Sequence, residues 1–482
     1  MEKHYLTGTW IFKLLAAFFV AALLFFLSAG RQIRYAQHDV EALPFDGTLG
    51  AVTDVRTVEQ SFIYDGDYLH TVCVQIGTYA RENTGLLHVA FKDAAGGVLW
   101  KSKYDIAQME DNAWLVMEMG IRLPKDSESP KAGGRYRLEF WSEGCYEDNA
   151  VTLYTGTAEY EKETILTVGG EQAAAGRQLV MAVSGGRERA GARFYWLYVC
   201  LAAGGILLFY ANQKKQEQAG RKCMLHTVGK TLDTYRFLVK QLVSRDFKTK
   251  YKRSVLGAFW SLLNPLLTMA VQYVVFSTIF RSSIENYPVY LLSASILFNY
   301  FTESVGGGLL SIVGNASLIT KVYVPKYIYP ATKVLSTAIN LLISMIPLFV
   351  VILVTGEEIT GAYVLIPYVV FCLILFCTGM ALALSAFMVF FRDMQFLWGI
   401  ISLLWMYATP MFYPQEIIPK RFHLVLDLNP MYHYIQFFRT ILLGHESPQM
   451  AEYAVCFLFS AVFCAAGAAL FCHFEKKFVL YL

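Results

Sequence analysis

The sequence predicts a polytopic α-helical membrane protein of about eight transmembrane helices, with an extracytoplasmic all-β sandwich domain inserted after the first. Three observations carry this reading. The chain of 482 residues is 55% hydrophobic and only 16% charged, with a mean hydropathy of +0.40. That composition lies outside the soluble globular range and requires apolar surface to be buried in lipid. Several segments reach the roughly 20 mostly apolar residues needed to cross a hydrocarbon core of about 30 Å. Between the first two of these lies a long polar stretch with a different periodicity. The net charge of +3 gives no ground for a nucleic-acid partner.

The first apolar run covers residues 10–29. Lys3 and Lys13 around it, and its end at Leu27-Ser28-Ala29-Gly30, also fit a cleavable signal peptide. Trp10 and Phe12 at its start and Lys13 within it suit an uncleaved span anchored at the interface. Residues 1–30 are therefore read as a first transmembrane anchor.

Residues 31–193 read as the β-sandwich domain and its linker. Alternating or β-rich runs fall at 69–78, 86–91, 98–104, 114–119, 136–141 and 151–154, with turns at 93–97 and 131–134. Short strands at this spacing predict an antiparallel sandwich of the jelly-roll kind. The glycine-rich stretch 184–191 reads as a linker to the next span. Of the nine cysteines, only Cys73 and Cys145 lie in this polar segment, and a disulfide between them is expected only if the segment is exported. Cys200, Cys372, Cys377, Cys456, Cys464 and Cys472 fall in or beside apolar spans as small core residues. No cysteine spacing predicts a metal site.

A second transmembrane helix is expected at 194–212. The link that follows, 213–254, carries twelve Lys and Arg against Glu217, Asp233 and Asp246. The positive-inside rule places it in the cytoplasm, which puts both termini inside and residues 31–193 outside. Lys476 and Lys477 agree with an internal tail. Arg31, Arg34, Arg187, Arg189 and Arg193 do not agree, but long translocated domains often disregard local charge.

Within this link Leu232, Tyr235, Leu238, Val239 and Leu242 recur at helical spacing, while Asp233, Arg236, Lys240 and Ser244 take the other face. The pattern predicts an amphipathic helix lying along the inner membrane surface. It delivers the basic run Arg245, Lys248, Lys250, Lys252 and Arg253 to the headgroups, where a lipid with a diphosphate head would first meet positive charge. Taken alone, such a cluster also serves as a plain topological anchor.

From about Thr231 onward a set of motifs follows in order: the 245–265 stretch, Asn286-Tyr287-Pro288-Val289-Tyr290-Leu291-Leu292, Asn315-Ala316-Ser317-Leu318-Ile319, Lys321-Val322-Tyr323-Val324-Pro325-Lys326, Phe391-Arg392-Asp393, Thr409-Pro410-Met411-Phe412-Tyr413-Pro414 and Leu428-Asn429-Pro430. In these motifs the chain resembles the ABC transporter permeases that export O-antigen, capsule or teichoic-acid type polymers on a polyprenyl diphosphate. The resemblance implies a six-helix permease domain over 255–482. It also implies a coupling segment for the ATPase at Asn315, Ser317, Leu318, Lys321 and Lys326, with Arg392 and Asp393 at the other inner turn. Near 411–448 the chain is too polar and proline-broken to span, which fits re-entrant half-helices at the outer face. A connecting loop at 315–327 and a surface loop at 411–448 are the plain alternatives.

The resemblance further implies that two copies pair, and that ATP and Mg are bound by a separate nucleotide-binding subunit. Consistently, the chain has no Gly-x-x-x-x-Gly-Lys-Ser/Thr loop: in the near miss at Gly229-Lys230-Thr231, Met224 stands where the first glycine belongs. Trp260, Tyr273, Phe298, Tyr300, Phe301, Tyr407, Phe412 and Tyr413 are candidates to line a sugar path, although aromatics in spans also serve as lipid-facing belts. Glu303, followed by Gly306-Gly307-Gly308, is a carboxylate inside the apolar region and joins the channel candidates. On the β domain, Trp100, Trp114, Trp141 and Tyr146 are candidate glycan contacts, with a propping or docking role as the alternative. Rival functions are a membrane glycosyltransferase or polymerase acting on lipid-linked sugars, an exporter of another lipid or drug, and a surface sensor. The order of motifs favours the polysaccharide exporter.

Overall fold

The computed structural model describes residues 8–123, 134–158, 164–174, 176–189, 191–218, 224–251, 259–280, 286–321 and 324–481. Two compact units emerge, Arg31–Trp196 and, by itself, Met1–Gly30 with Leu197–Leu482.

The first unit is a sandwich built from strands β1 (Tyr35–Gln37), β2 (Gly47–Ala51), β3 (Val58–Tyr64), β4 (Tyr68–Gly77), β5 (Leu86–Lys92), β6 (Val98–Asp105), β7 (Trp114–Arg122), β8 (Gly134–Glu143), β9 (Thr152–Thr157), β10 (Leu166–Val168), β11 (Glu171–Gln172), β12 (Arg177–Leu179) and β13 (Met181–Glu188). One sheet runs β1-β13-β4-β9-β12, with β2 on β9 and β7 on β4; the other runs β11-β10-β3-β8-β5-β6. Alternation decides which side chains meet between them. On β7, Leu115, Met117 and Met119 turn inward while Trp114, Val116 and Glu118 turn out. Val72, Val74, Phe62, Phe91, Leu138 and Phe140 complete a single core drawn from both sheets. The six predicted strands correspond to β4 through β9.

Two expectations for this unit are corrected. The glycine-rich stretch 184–191 is not a linker, because most of it forms β13, which pairs with both β4 and β1. The glycines are there for close approach: a Cβ on Gly186 would stand 2.6 Å from the Tyr35 Cβ, and Gly185 sits at a bulge against Tyr64 and Tyr68. Cys73 and Cys145 are separate thiols. Cys73 lies within β4 of the first sheet, whereas Cys145 follows β8 of the second and donates its Sγ hydrogen to the Thr84 carbonyl at 3.5 Å. Burial pushes both thiols above the ordinary cysteine range, which keeps them protonated and slow to exchange.

The second unit is helical: α1 (Gly8–Arg34, belonging here up to Gly30), α2 (Tyr195–Gln218), α3 (Met224–Tyr251), α4 (Trp260–Phe280), α5 (Tyr287–Gly314), α6 (Ala316–Ile319), α7 (Ile328–Thr355), α8 (Ile366–Phe390), α9 (Met394–Ala408), α10 (His423–Asp427), α11 (Pro430–Leu442) and α12 (Met450–Phe474). Among the described residues α1, α2, α5, α7, α8 and α12 are long and apolar enough to cross a membrane, and α4 and α9 carry shorter apolar runs. At 15 residues α9 spans only about 22 Å at the α-helical rise, because Thr409-Pro410 ends it.

Small residues let the central helices touch. A Cβ on Gly308 of α5 would stand 2.5 Å from the Ala381 Cβ of α8, and one on Gly467 of α12 would stand 2.9 Å from the Gly379 Cα of α8. Backbone contact of this kind drives helix association in lipid, where apolar burial alone gives little preference. Around Phe301, the rings of Phe298, Phe376, Trp398 and Trp405 lie at 5.0–5.6 Å.

Candidate functional site

At the α3 end of the helical unit, charge and polarity converge. The apolar stripe of α3 is seated on protein: Leu242 is buried, and Tyr235, Leu238 and Val239 pack with it against Ile312, Ile319, Ile328, Tyr329, Leu382 and Phe471. The helix extends through Lys250, so the first half of the basic run is helical too. Asp246, nearly buried, holds Arg245 at 3.0 Å and Lys333 of α7 at 2.9 Å. Arg245 also reaches the Asn315 Oδ1 at 3.4 Å. One turn on, Lys250 Nζ meets Glu303 Oε1 at 2.6 Å, and Asn340 Nδ2 donates to the same oxygen at 3.4 Å. Lys248 is exposed. Lys252 and Arg253 lie outside the described residues.

The Lys250–Glu303 pair stands where two cavities adjoin, one of about 310 Å³ and one of about 300 Å³, both lined by Lys250, Glu303, Thr337 and Asn340. The first is completed by Trp260, Asn264, Asn299 and Tyr300, among others. Amides, hydroxyls, two aromatic side chains, and a cation with its carboxylate partner line this first cavity, a surface suited to a hydroxyl-rich ligand with an anionic group for the cation.

Beside this site, the short helix α6 presents Ser317 and Leu318 outward, with Lys321 just beyond it, while Ile319 anchors it in the inner cluster. Lys326 points back into the fold, donating to the Glu475 carbonyl at 2.6 Å beneath the Phe478 ring. Arg392 and Asp393 are exposed in the turn between α8 and α9.

The opposite end of α5 gathers the remaining motifs. Asn429 caps α11 by accepting from the Met431 amide, accepts from Trp405 Nε1 at 2.7 Å and donates to Thr409 Oγ1 at 2.9 Å. The Tyr287 hydroxyl donates to the Phe412 carbonyl at 2.7 Å, and that of Tyr290 to the Tyr413 carbonyl at 2.8 Å. Arg439 of α11, 5% exposed, donates to the carbonyls of Pro410 (2.8 Å), Met411 (3.0 Å) and Tyr290 (3.2 Å). Its guanidinium lies 3.4 Å from the centre of the Tyr290 ring.

The sequence candidates thus separate into groups. Trp260, Tyr300 and Glu303 share the cavity. Phe298, Phe301 and Phe412 are core residues, Phe412 stacking on Phe276 at 5.2 Å. Tyr273 is half-buried beside Tyr287, and Tyr407 is exposed, its carbonyl accepting from the Tyr413 hydroxyl at 2.7 Å. On the β unit the four aromatics do not form one face. Trp100 packs on the core, Trp114 is exposed on β7 of the other sheet and Tyr146 is exposed after β8. Trp141 is flanked by His88 at 5.2 Å and Lys101 at 4.9 Å. Sequence reasoning missed Asp246, Lys333, Asn340 and Arg439. A lone arginine inside the apolar run 432–443 was a legible signal for the last.

Residues 238–443 match the family model described as ABC-2 type transporter. A relative named O-antigen export system permease protein RfbA from Myxococcus xanthus is 32% identical over 239 residues, covering 49% of this chain and 92% of the relative. One of the same name from Klebsiella pneumoniae is 28% identical over 208 residues, covering 43% and 80%. The region matched by the family model holds the second half of α3, both cavities, α6 and the Arg439 cluster. The chain is a multi-pass membrane protein that belongs to the ABC-2 type transporter family, as a permease of the polysaccharide-exporter kind with a β domain inserted between its first two helices.

Proposed function

We infer that this chain is the membrane subunit of an exporter that moves a polysaccharide, carried on a polyprenyl diphosphate, across the cytoplasmic membrane. The observation that carries the reading is the polar cavity at Lys250 and Glu303, opening beside a basic helix within the region matched by the ABC-2 type transporter model, in a chain similar to two O-antigen permeases. A cation with amide and hydroxyl donors suits a sugar diphosphate better than an apolar drug. Two copies pair to form the path, and a separate ATPase subunit, holding ATP and Mg, docks on the knob formed by Ser317 and Leu318. Both termini face the cytoplasm. The β unit lies outside, where Trp114, Trp141 and Tyr146 offer contacts to the emerging glycan.

Disrupting the gene in its own organism tests this reading. The expected outcome is loss of surface polymer together with build-up of lipid-linked polymer inside the cell. Unchanged surface polymer would overturn it.

A further inference from the structure

We propose that Glu303 is a built-in competitor for the diphosphate: in the substrate-free protein its carboxylate occupies the place on Lys250 that a lipid diphosphate takes. The proposal rests on the export reading and adds to it the group that must leave when substrate arrives.

The geometry contrasts two ion-pair groups at the end of α3. Lys333 and Arg245 are both committed to Asp246, whose side chain is 10% exposed. Lys250 pairs with Glu303, and that pair is 42% and 43% exposed. An ion pair so open to water contributes little to stability, so exchanging one anion for another costs the fold little. The carboxylate brings one negative charge, and a single oxygen, Oε1, meets both Lys250 and Asn340. A diphosphate brings more charge and more acceptor oxygens, and charge-assisted hydrogen bonds strengthen with charge. Once Glu303 swings away, Asn340 Nδ2 faces the arriving phosphate. The adjoining cavity, with Trp260, Asn264 and Asn299, then lies next to the diphosphate, where the first sugar of the polymer would be.

Binding of polyprenyl diphosphate to the full-length protein in nanodiscs of zwitterionic lipid, with its ATPase subunit bound, tests the competition. Glu303→Gln is expected to tighten binding roughly three- to tenfold, and Lys250→Gln to weaken it by a similar factor. The deciding variant is the double one. If Glu303 competes for Lys250, Glu303→Gln has no effect once Lys250 is Gln. If it tightens binding equally in both backgrounds, Glu303 only repels anions in general and the proposal is overturned. A second arm uses inorganic pyrophosphate as the ligand. Measured by its own direct binding, it is expected to bind Glu303→Gln more tightly than the wild type, yet more weakly than the lipid in both; equal pyrophosphate affinity in the two proteins also overturns the proposal. Wild-type binding left unaltered by either substitution, in a strain that still exports polymer, would sink the competitor while leaving the export reading intact.

Discussion

The two ends of the permease treat charge in opposite ways. At the α3 end, Lys250 and Glu303 meet at the wall of a cavity with more than two-fifths of each side chain open. At the other end, Arg439 is 5% exposed, and its partners are three backbone carbonyls and an aromatic ring rather than a carboxylate. A charge removed from water depends on its hydrogen-bond partners, and at Arg439 both terminal nitrogens are engaged, so losing them carries a cost that water cannot offset. A half-exposed charge changes partner readily. Burial therefore separates a fastening, which joins α5, α11 and the Pro410-Met411 turn, from an exchangeable contact suited to a passing substrate.

The largest effect should follow from unfastening Arg439. Each hydrogen bond from a charged group contributes roughly 1.5–3 kcal/mol, and three carbonyls lose their donor together, so Arg439→Met should destabilise the protein by at least about 3 kcal/mol. Arg439→Lys should fall between the two, because a single ammonium cannot span all three carbonyls in the fork geometry of a guanidinium. Thermal unfolding of the purified protein in nanodiscs measures this. A loss below about 1 kcal/mol for Arg439→Met would mean that the cluster is not a fastening.

Asp246 sharpens the comparison from the middle of the exposure range. At 10% exposure it joins Arg245 and Lys333, so Asp246→Asn leaves two cations with reduced compensation, at an expected cost of about 1–3 kcal/mol. The damage should be local, read as faster amide exchange over residues 235–250 with little change around Arg439. Glu303→Gln, by contrast, should cost less than about 1 kcal/mol. Should Glu303→Gln prove as damaging as Asp246→Asn, exposure would not be the controlling variable.

Leu318 carries the same logic to a partner. It is 40% exposed on α6, so Leu318→Asp should leave unfolding within about 0.5 kcal/mol of the wild type. The ATPase subunit should nevertheless be lost on co-purification. Retained ATPase would move the docking site away from α6.

Much of the architecture was legible because lipid and pleat impose strong periodicities. The eight apolar helices follow from length and hydropathy, β4 to β9 from alternation, and the broken region 411–448 from Pro410, Pro414 and Pro430. Radial position was not legible. α5 is apolar nearly all round, so Phe298 and Phe301, which are core, look the same in sequence as Tyr300, which borders the cavity. Ion-pair partners were also hidden: Lys333 and Asp246 are 87 residues apart, and only the packing of α3 on α7 brings them together. The β13 strand was missed for the opposite reason, since glycines that permit close strand approach look the same in sequence as glycines in a linker.

The smallest expected effect lies in the β unit, where a fully exposed carboxylate does a fastening job. Asp111 accepts from the Thr78 backbone amide at 2.5 Å and from its hydroxyl at 3.1 Å. It thereby ties down a loop in which Tyr79 and Ala80 hold left-handed φ values of 60° and 52°. The Thr78 amide, together with those of Ala80 and Tyr79, holds the Asp111 carboxyl below the ordinary aspartate range. A depressed carboxyl stabilises the fold above its unfolded pKa of about 3.9, and that contribution is lost as pH falls through the lower folded value. Amide exchange in the full-length protein, corrected for intrinsic rates, should show protection at residues 78–81 that is flat from pH 7 to about pH 4 and declines below it. Asp111→Asn should lower that protection at pH 7 and remove its dependence on pH, with the core of the sandwich unaffected. Identical protection in the two proteins at pH 7 would show that exposure leaves this carboxylate no hold on the loop, and would extend the contrast between the two permease ends to the β unit.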